Sequence, residues 1–230
     1  MLPRLTTSTK LKLAYVGLAA ADTWLSGRPE RRAHLARFVT KPLLMPTLAG
    51  SLATNPRAAD SPLRTSTLAA QAGGWGGDVA LLGGGTRPFI VSTGSFGVGH
   101  AAYLAGFVRR RSPAPLAPTF GARAVVGSWA ATAPVMALMA RRKNPQLGGP
   151  VFGYATMLAV MVVRATHLDP ALSPASRRFT AAGAGLFMLS DTLLGVRKFM
   201  LADPPAGLET AVMATYTAAQ FLLSEGAARA

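Results

Sequence analysis

Two carboxylates stand where water should be scarce. Asp78 lies inside GGWGGDVALLGG (residues 73–84) and Asp191 inside FMLSDTLLGV (residues 187–196), in a chain with only nine acids. An ionisable side chain within a membrane helix costs roughly 2.5–3.5 kcal/mol, and it generally marks a cavity or a proton path. The bland alternative is an Asp that only ties two helices together. His100, Tyr103, Tyr154, Tyr216 and Gln220 also fall at apolar depth, and that company favours chemistry. Two carboxylates held close in low dielectric can keep one proton between them, so that one serves as acid and the other as base.

Other chemistries find less support. His100 alone is more readily a helix-packing residue, and a three-histidine zinc site would need both His34 and His167 to reach inward. No metal site and no cofactor are therefore expected. The glycines of GGDVALLGGGT lack the G-x-x-x-x-G-K-[ST] phosphate loop, and GTRPF and GSFGV hold no G-x-S-x-G nucleophile elbow. Ser95 and Ser190 have no histidine at local spacing. Asp22 reads better as an interfacial cap ahead of Trp24 than as a third cavity acid.

The elements that must position these groups follow from composition. The 230 residues are 50% hydrophobic and only 14% charged, against about 25% in ordinary soluble domains, with a mean hydropathy of +0.31. There is no cysteine, hence no disulfide framework. The net charge of +15 sits in short clusters (RPERR at 28–32, RRR at 109–111, RRK at 141–143) between apolar runs. That is the pattern of juxtamembrane charge meeting anionic lipid, not of a nucleic-acid-binding face.

From charge to charge there are eight runs: 13–24, 42–56, 65–86, 88–108, 124–140, 144–163, 179–196 and 210–224. Several approach the ~20 residues that cross a bilayer as a helix, and backbone groups in lipid must be satisfied internally. The expectation is an all-α polytopic membrane bundle of about eight transmembrane helices in the cell membrane, forming one domain over 1–230. Its abundant Ala, Gly, Ser and Thr suit close helix packing. The N-terminus has features of a signal peptide, with an A-x-A at 19–21, but another membrane run follows it and retention is favoured. With eight helices both termini share a side that carries 13 Lys and Arg against 11 on the other, a faint vote for cytoplasmic termini. The oligomeric state is not legible.

Asp78 and Asp191 are 113 positions apart, as are Tyr103 and Tyr216, and each Asp precedes a Leu-Leu-Gly. This suggests an internal repeat of 1–115 and 116–230. The two parallel four-helix halves would set the carboxylates at similar depth across a central cavity.

The ordered set of Lys41-Pro42 opening the second helix, Gly77-Asp78, Phe96/His100/Tyr103, FMLSD (187–191) and Thr215/Tyr216/Gln220 resembles the YhhN family of integral membrane proteins, which includes the lysoplasmalogenases. The resemblance runs over nearly the whole chain. It implies hydrolysis of the vinyl ether bond of a lysophospholipid to a fatty aldehyde and a glycerophospho-alcohol. Cleaving an enol ether needs a proton delivered to carbon and water added to an oxocarbenium ion, which parallels glycoside hydrolysis by two carboxyl groups. On this reading Asp78 and Asp191 are catalytic. His100, Tyr103, Tyr154, Tyr216 and Gln220 orient them or the substrate, and Lys41 or loop arginines hold the phosphate. The competing readings are a proton-coupled transporter or lipid-binding protein, and a purely structural membrane protein.

Overall fold

A computed structural model describes residues 5–116 and 119–230. Among them are eight α-helices: α1 (Thr7–Ser26), α2 (Arg31–Ala53), α3 (Arg64–Leu81), α4 (Thr86–Arg109), α5 (Phe120–Lys143), α6 (Gly148–Ala165), α7 (Pro174–Gly195) and α8 (Ala206–Ala227). A wide π-type turn, Val196–Met200, continues α7. Each apolar run of the sequence becomes one helix. The expected all-helical bundle is therefore what forms, and three stretches are long and apolar enough to cross a membrane: Phe120–Lys143, Pro145–Ala165 and Pro174–Met200.

The ends differ from the runs because a charge ends an apolar run without ending a helix. Caps do that. Thr6, Thr119 and Ser173 each accept a backbone N–H of the first turn of α1, α5 and α7, satisfying a donor that the helix leaves free. α2 begins at Arg31, not at Pro42, so Lys41 and Pro42 lie mid-helix and do not open it. Both Pro42 and Pro46 are accommodated inside α2. Pro46 has no N–H for the carbonyl four residues before it, which is that of Pro42. The Trp75 indole N–H of α3 donates to that carbonyl instead, at 3.1 Å.

Consecutive helices pack as hairpins, most extensively α1 with α2, α3 with α4, α5 with α6, and α7 with α8. α8 is the central element; it also touches α1, α2 and α3. Every helix except α8 carries large apolar side chains facing outward, such as Val16, Phe38, Val79, Val98, Phe120, Val160 and Leu189. Serine hydroxyls join the helices by donating to carbonyls across the interface: Ser95 to Gly73, Ser190 to Val212, Ser176 to Gly226, and Ser8 and Ser51 to each other's carbonyls. Glycine allows the closest approach. A Cβ on Gly73 would lie 2.6 Å from the Gly99 nitrogen, and one on Gly183 would lie 2.8 Å from the Leu223 nitrogen. Small residues at helix contacts stabilise such packing where no hydrophobic drive exists between helices.

Candidate active site

Asp22, Asp78 and Asp191 all sit in the last two turns of odd-numbered helices. Alternation of direction therefore gathers them toward one end of the bundle. They do not share one site.

Asp78 is sealed in the core at 1% exposure. The Tyr216 hydroxyl of α8 donates to its Oδ2 at 2.6 Å, and the buried Lys41 ammonium of α2 lies 3.5 Å from Oδ1. A turn farther along α8, Gln220 lies against Gly74 and accepts the Tyr103 hydroxyl of α4 at 2.8 Å. Lys41 is thus the partner of Asp78 in the core. Gln71 is on the same face of α3 as Gly74 and Asp78; it is fully buried and its amide makes no hydrogen bond to protein.

Asp191 is in a different setting. Its side chain is 17% exposed and lines a cavity of about 100 Å³ between α4, α5, α6 and α7. The Tyr154 hydroxyl of α6 donates to its Oδ2 at 2.5 Å. His100 Nε2 of α4 is 2.9 Å from the Tyr154 oxygen and 3.8 Å from Asp191 Oδ2. Tyr154 has one proton and spends it on the carboxylate. His100 therefore holds its proton on Nε2 and donates to the tyrosine oxygen. The rest of the cavity wall is mainly apolar, with Phe89, Phe96, Trp129, Met136, Leu158 and Phe199 prominent.

Phe96 and Phe187 stand between the two carboxylates. Their rings meet edge to face at 6.3 Å. Both also pack edge-on against Tyr216, at 5.9 and 5.5 Å, and Phe187 packs on His100 at 4.8 Å. The sequence leads one to expect the carboxylates to face each other across a central cavity. In the structure only Asp191 lines the cavity, and each carboxylate takes its short hydrogen bond from a different tyrosine. The repeat offset likewise pairs Tyr103 with Tyr216, yet Tyr103 bonds to Gln220 and Asp191 is served by Tyr154.

Asp22 is not an interfacial cap. It is fully buried within α1, accepts the Thr40 hydroxyl at 2.6 Å and faces the Arg37 guanidinium at 3.4 Å. Arg37 bridges on to Glu209 at 3.2 Å, and Glu209 to Arg197 at 3.1 Å. This chain of charges ties the ends of α1 and α7 to the starts of α2 and α8. Spacing gave no sign of it, since Arg37 and Glu209 both lie outside the apolar runs. His34 packs on Phe38 at the start of α2. His167 faces the Ala114 carbonyl at 2.6 Å beyond the end of α6, at the opposite end of the bundle. Ser95 and Ser190 have their hydroxyls committed to backbone carbonyls and tie helices together.

No curated protein and no solved structure matches this chain. The model of the YhhN family does, over residues 36–227. That span runs from the second turn of α2 to the end of α8 and takes in Lys41, both carboxylates and the tyrosines that serve them; α1 with Asp22, the first residues of α2 and residues 228–230 lie outside it. The chain belongs to the YhhN family.

Proposed function

We propose that this protein is an integral membrane hydrolase that cleaves the vinyl ether bond of a lysoplasmalogen-like lysophospholipid, with all eight helices crossing the cell membrane. One observation carries the reading: a carboxyl group, Asp191, is presented to an apolar cavity while hydrogen-bonded to Tyr154. Immersion is supported by helix length. At 18 to 24 residues the helices are about 27–36 Å long, which suits a hydrocarbon core of ~30 Å. It is supported too by the outward apolar side chains on seven of them.

The chemistry follows from the groups at the cavity. Protonated Asp191 gives its proton to the outer carbon of the vinyl ether; the π pair becomes the new C–H bond, and the ether oxygen shares the positive charge. Water adds to the oxocarbenium carbon and returns a proton to Asp191. The resulting hemiacetal loses its hydroxyl proton as the bond to the glycerol oxygen breaks and that oxygen gains a proton. The sum is one water consumed, with an aldehyde and an alcohol formed. One carboxyl thus serves as acid and then as base, a role worth about 10²–10⁴ in rate. Tyr154 holds Asp191 in place, and His100 behind it supplies a further proton site. Asp78 is the second carboxylate of the pair. Behind the Phe96 and Phe187 rings it holds Tyr216, and through Tyr216 it holds Phe96, a wall of the cavity.

A proton-coupled transporter is the second reading, favoured by the buried Lys41–Asp78 pair that the cavity does not reach. The decisive test uses purified protein in detergent, given a vinyl-ether lysophospholipid and, separately, its ester-linked counterpart. Aldehyde from the first and none from the second is expected. No aldehyde from folded protein, together with proton-linked counterflow in sealed liposomes, overturns the hydrolase in favour of transport.

A further inference from the structure

Beside the cavity stands a pair of lysines that none of the acid–base chemistry uses. Where α7 widens into the turn Val196–Met200, Lys198 is half-buried with its ammonium 4.4 Å from the centre of the Phe89 ring. Phe89 and Phe199 are cavity walls and meet edge to face at 5.6 Å. Lys143, at the end of α5, donates from Nζ to the Lys198 carbonyl at 2.8 Å, which leaves two of its three N–H groups unspent. Arg197 and Lys143 both lie within electrostatic reach of Lys198. Arg197 is paired with Glu209, but no carboxylate among the described residues lies within 4.0 Å of Lys143 or Lys198. Two cations without counter-charge, one resting on a cavity wall, form an anion site beside the cavity.

The spacing says which anion. Lys198 follows Asp191 by seven residues, past Gly195 and into the wide turn Val196–Met200, and Gly195 and Phe199 of that stretch line the cavity. At no more than 1.5 Å per residue the two are separated by up to about 10 Å along the axis. In a 1-alkenyl-glycero-3-phospholipid, seven bonds separate the outer vinyl ether carbon, which takes the proton, from phosphorus, about 8 Å when extended. An ammonium–phosphate contact adds about 3 Å. We infer that Lys198, assisted by Lys143, binds the phosphate of the lysophospholipid and so sets its vinyl ether in register with Asp191. This rests on the hydrolase reading for the identity of the lipid. It also assigns the phosphate to this lysine pair, since Lys41 is committed to Asp78 in the core.

The test is a binding measurement and needs no turnover. The ligands are a saturated 1-O-hexadecyl lysophospholipid, which cannot be hydrolysed by this chemistry, and 1-O-hexadecylglycerol, which lacks the phosphate. Both are titrated in detergent against the full-length protein, with the fluorescence of Trp129 in the cavity wall as readout. The wild-type protein should bind the phospholipid about tenfold or more tightly than the alkylglycerol. Lys198→Ala should remove most of that preference, Lys198→Arg should keep it, and Lys143→Ala should reduce it in part. Alkylglycerol binding should be the same in all four proteins, which also shows that each is folded. Equal binding of the two ligands by wild type, or a loss in Lys198→Ala that falls alike on both, overturns the inference. Binding as expected from a protein that releases no aldehyde would sink the hydrolase and leave the phosphate site standing.

Discussion

Asp78 and Asp191 are each followed by a Leu-Leu-Gly and stand in opposite physical surroundings. Asp78 is at 1% exposure, held by a lysine and by a tyrosine on which two phenylalanine rings pack. Asp191 has one tyrosine, a histidine beyond it, and a cavity in front. A buried carboxylate whose charge is already matched stabilises the arrangement around it, because removing either member strands the other. A carboxyl with one short hydrogen bond and free space beside it can exchange protons with something that arrives. The difference separates what holds the bundle from what acts in it.

Substitutions can break that comparison at each point. Asp191→Asn should have the largest effect: kcat for aldehyde release falls by about 10³-fold, within the range of a lost general acid–base group, while the melting temperature stays within a few degrees. Asp78→Asn should show the reverse balance. It leaves Lys41 buried without its counter-charge, at about 3–5 kcal/mol of stability, and lowers kcat only about tenfold. Changing both partners, Lys41→Met with Asp78→Asn, should recover much of the lost stability in denaturant titrations, because no buried charge is then stranded. The tyrosines should divide in the same way. Tyr154→Phe should lower kcat by about 10–100-fold with KM little changed, since it removes a bond to the acting carboxyl. Tyr216→Phe should cost about 1–3 kcal/mol of stability through the lost donor to a charged group, with a smaller change in kcat. The smallest effect belongs to Trp75→Phe. It removes the donor to the Pro42 carbonyl at 3.1 Å and should cost about 1 kcal/mol, read as a slight loss of thermal stability with kinetics intact.

Much of this architecture was written in the pattern of charges. Eight runs set off by charged residues, Lys and Arg around most of them and Glu209 and Glu225 around the last, gave eight helices, and the acids inside two of them pointed to the site. Helix starts were less readable. The first turns of α2 carry Arg31, Arg32, His34 and Arg37, which break an apolar run but are good enough helix formers to continue a helix outward from Pro42. Which face of α3 or α7 meets a cavity was also hidden, since that depends on where Phe96 and Phe187 come to rest, and they are far apart in sequence. The Asp22–Arg37–Glu209–Arg197 chain was hidden for the same reason. Its members come from four segments, and only packing brings them together. Tyr154 was among the expected groups, but nothing local marked it, and not Tyr103, as the partner of Asp191.

The central claim is that the cavity carboxyl performs the chemistry and the sealed one supports it. The direct measurement is aldehyde release from a vinyl-ether lysophospholipid by the Asp191→Asn and Asp78→Asn proteins side by side. It should be made at a temperature where both are shown to be folded, with Lys41→Met/Asp78→Asn as the stability-restored control. The account predicts a rate about 10³-fold below wild type from Asp191→Asn and a reduced but clear rate from the double variant. Aldehyde from Asp191→Asn at near the wild-type rate, or a folded double variant as inactive as Asp191→Asn, would contradict it.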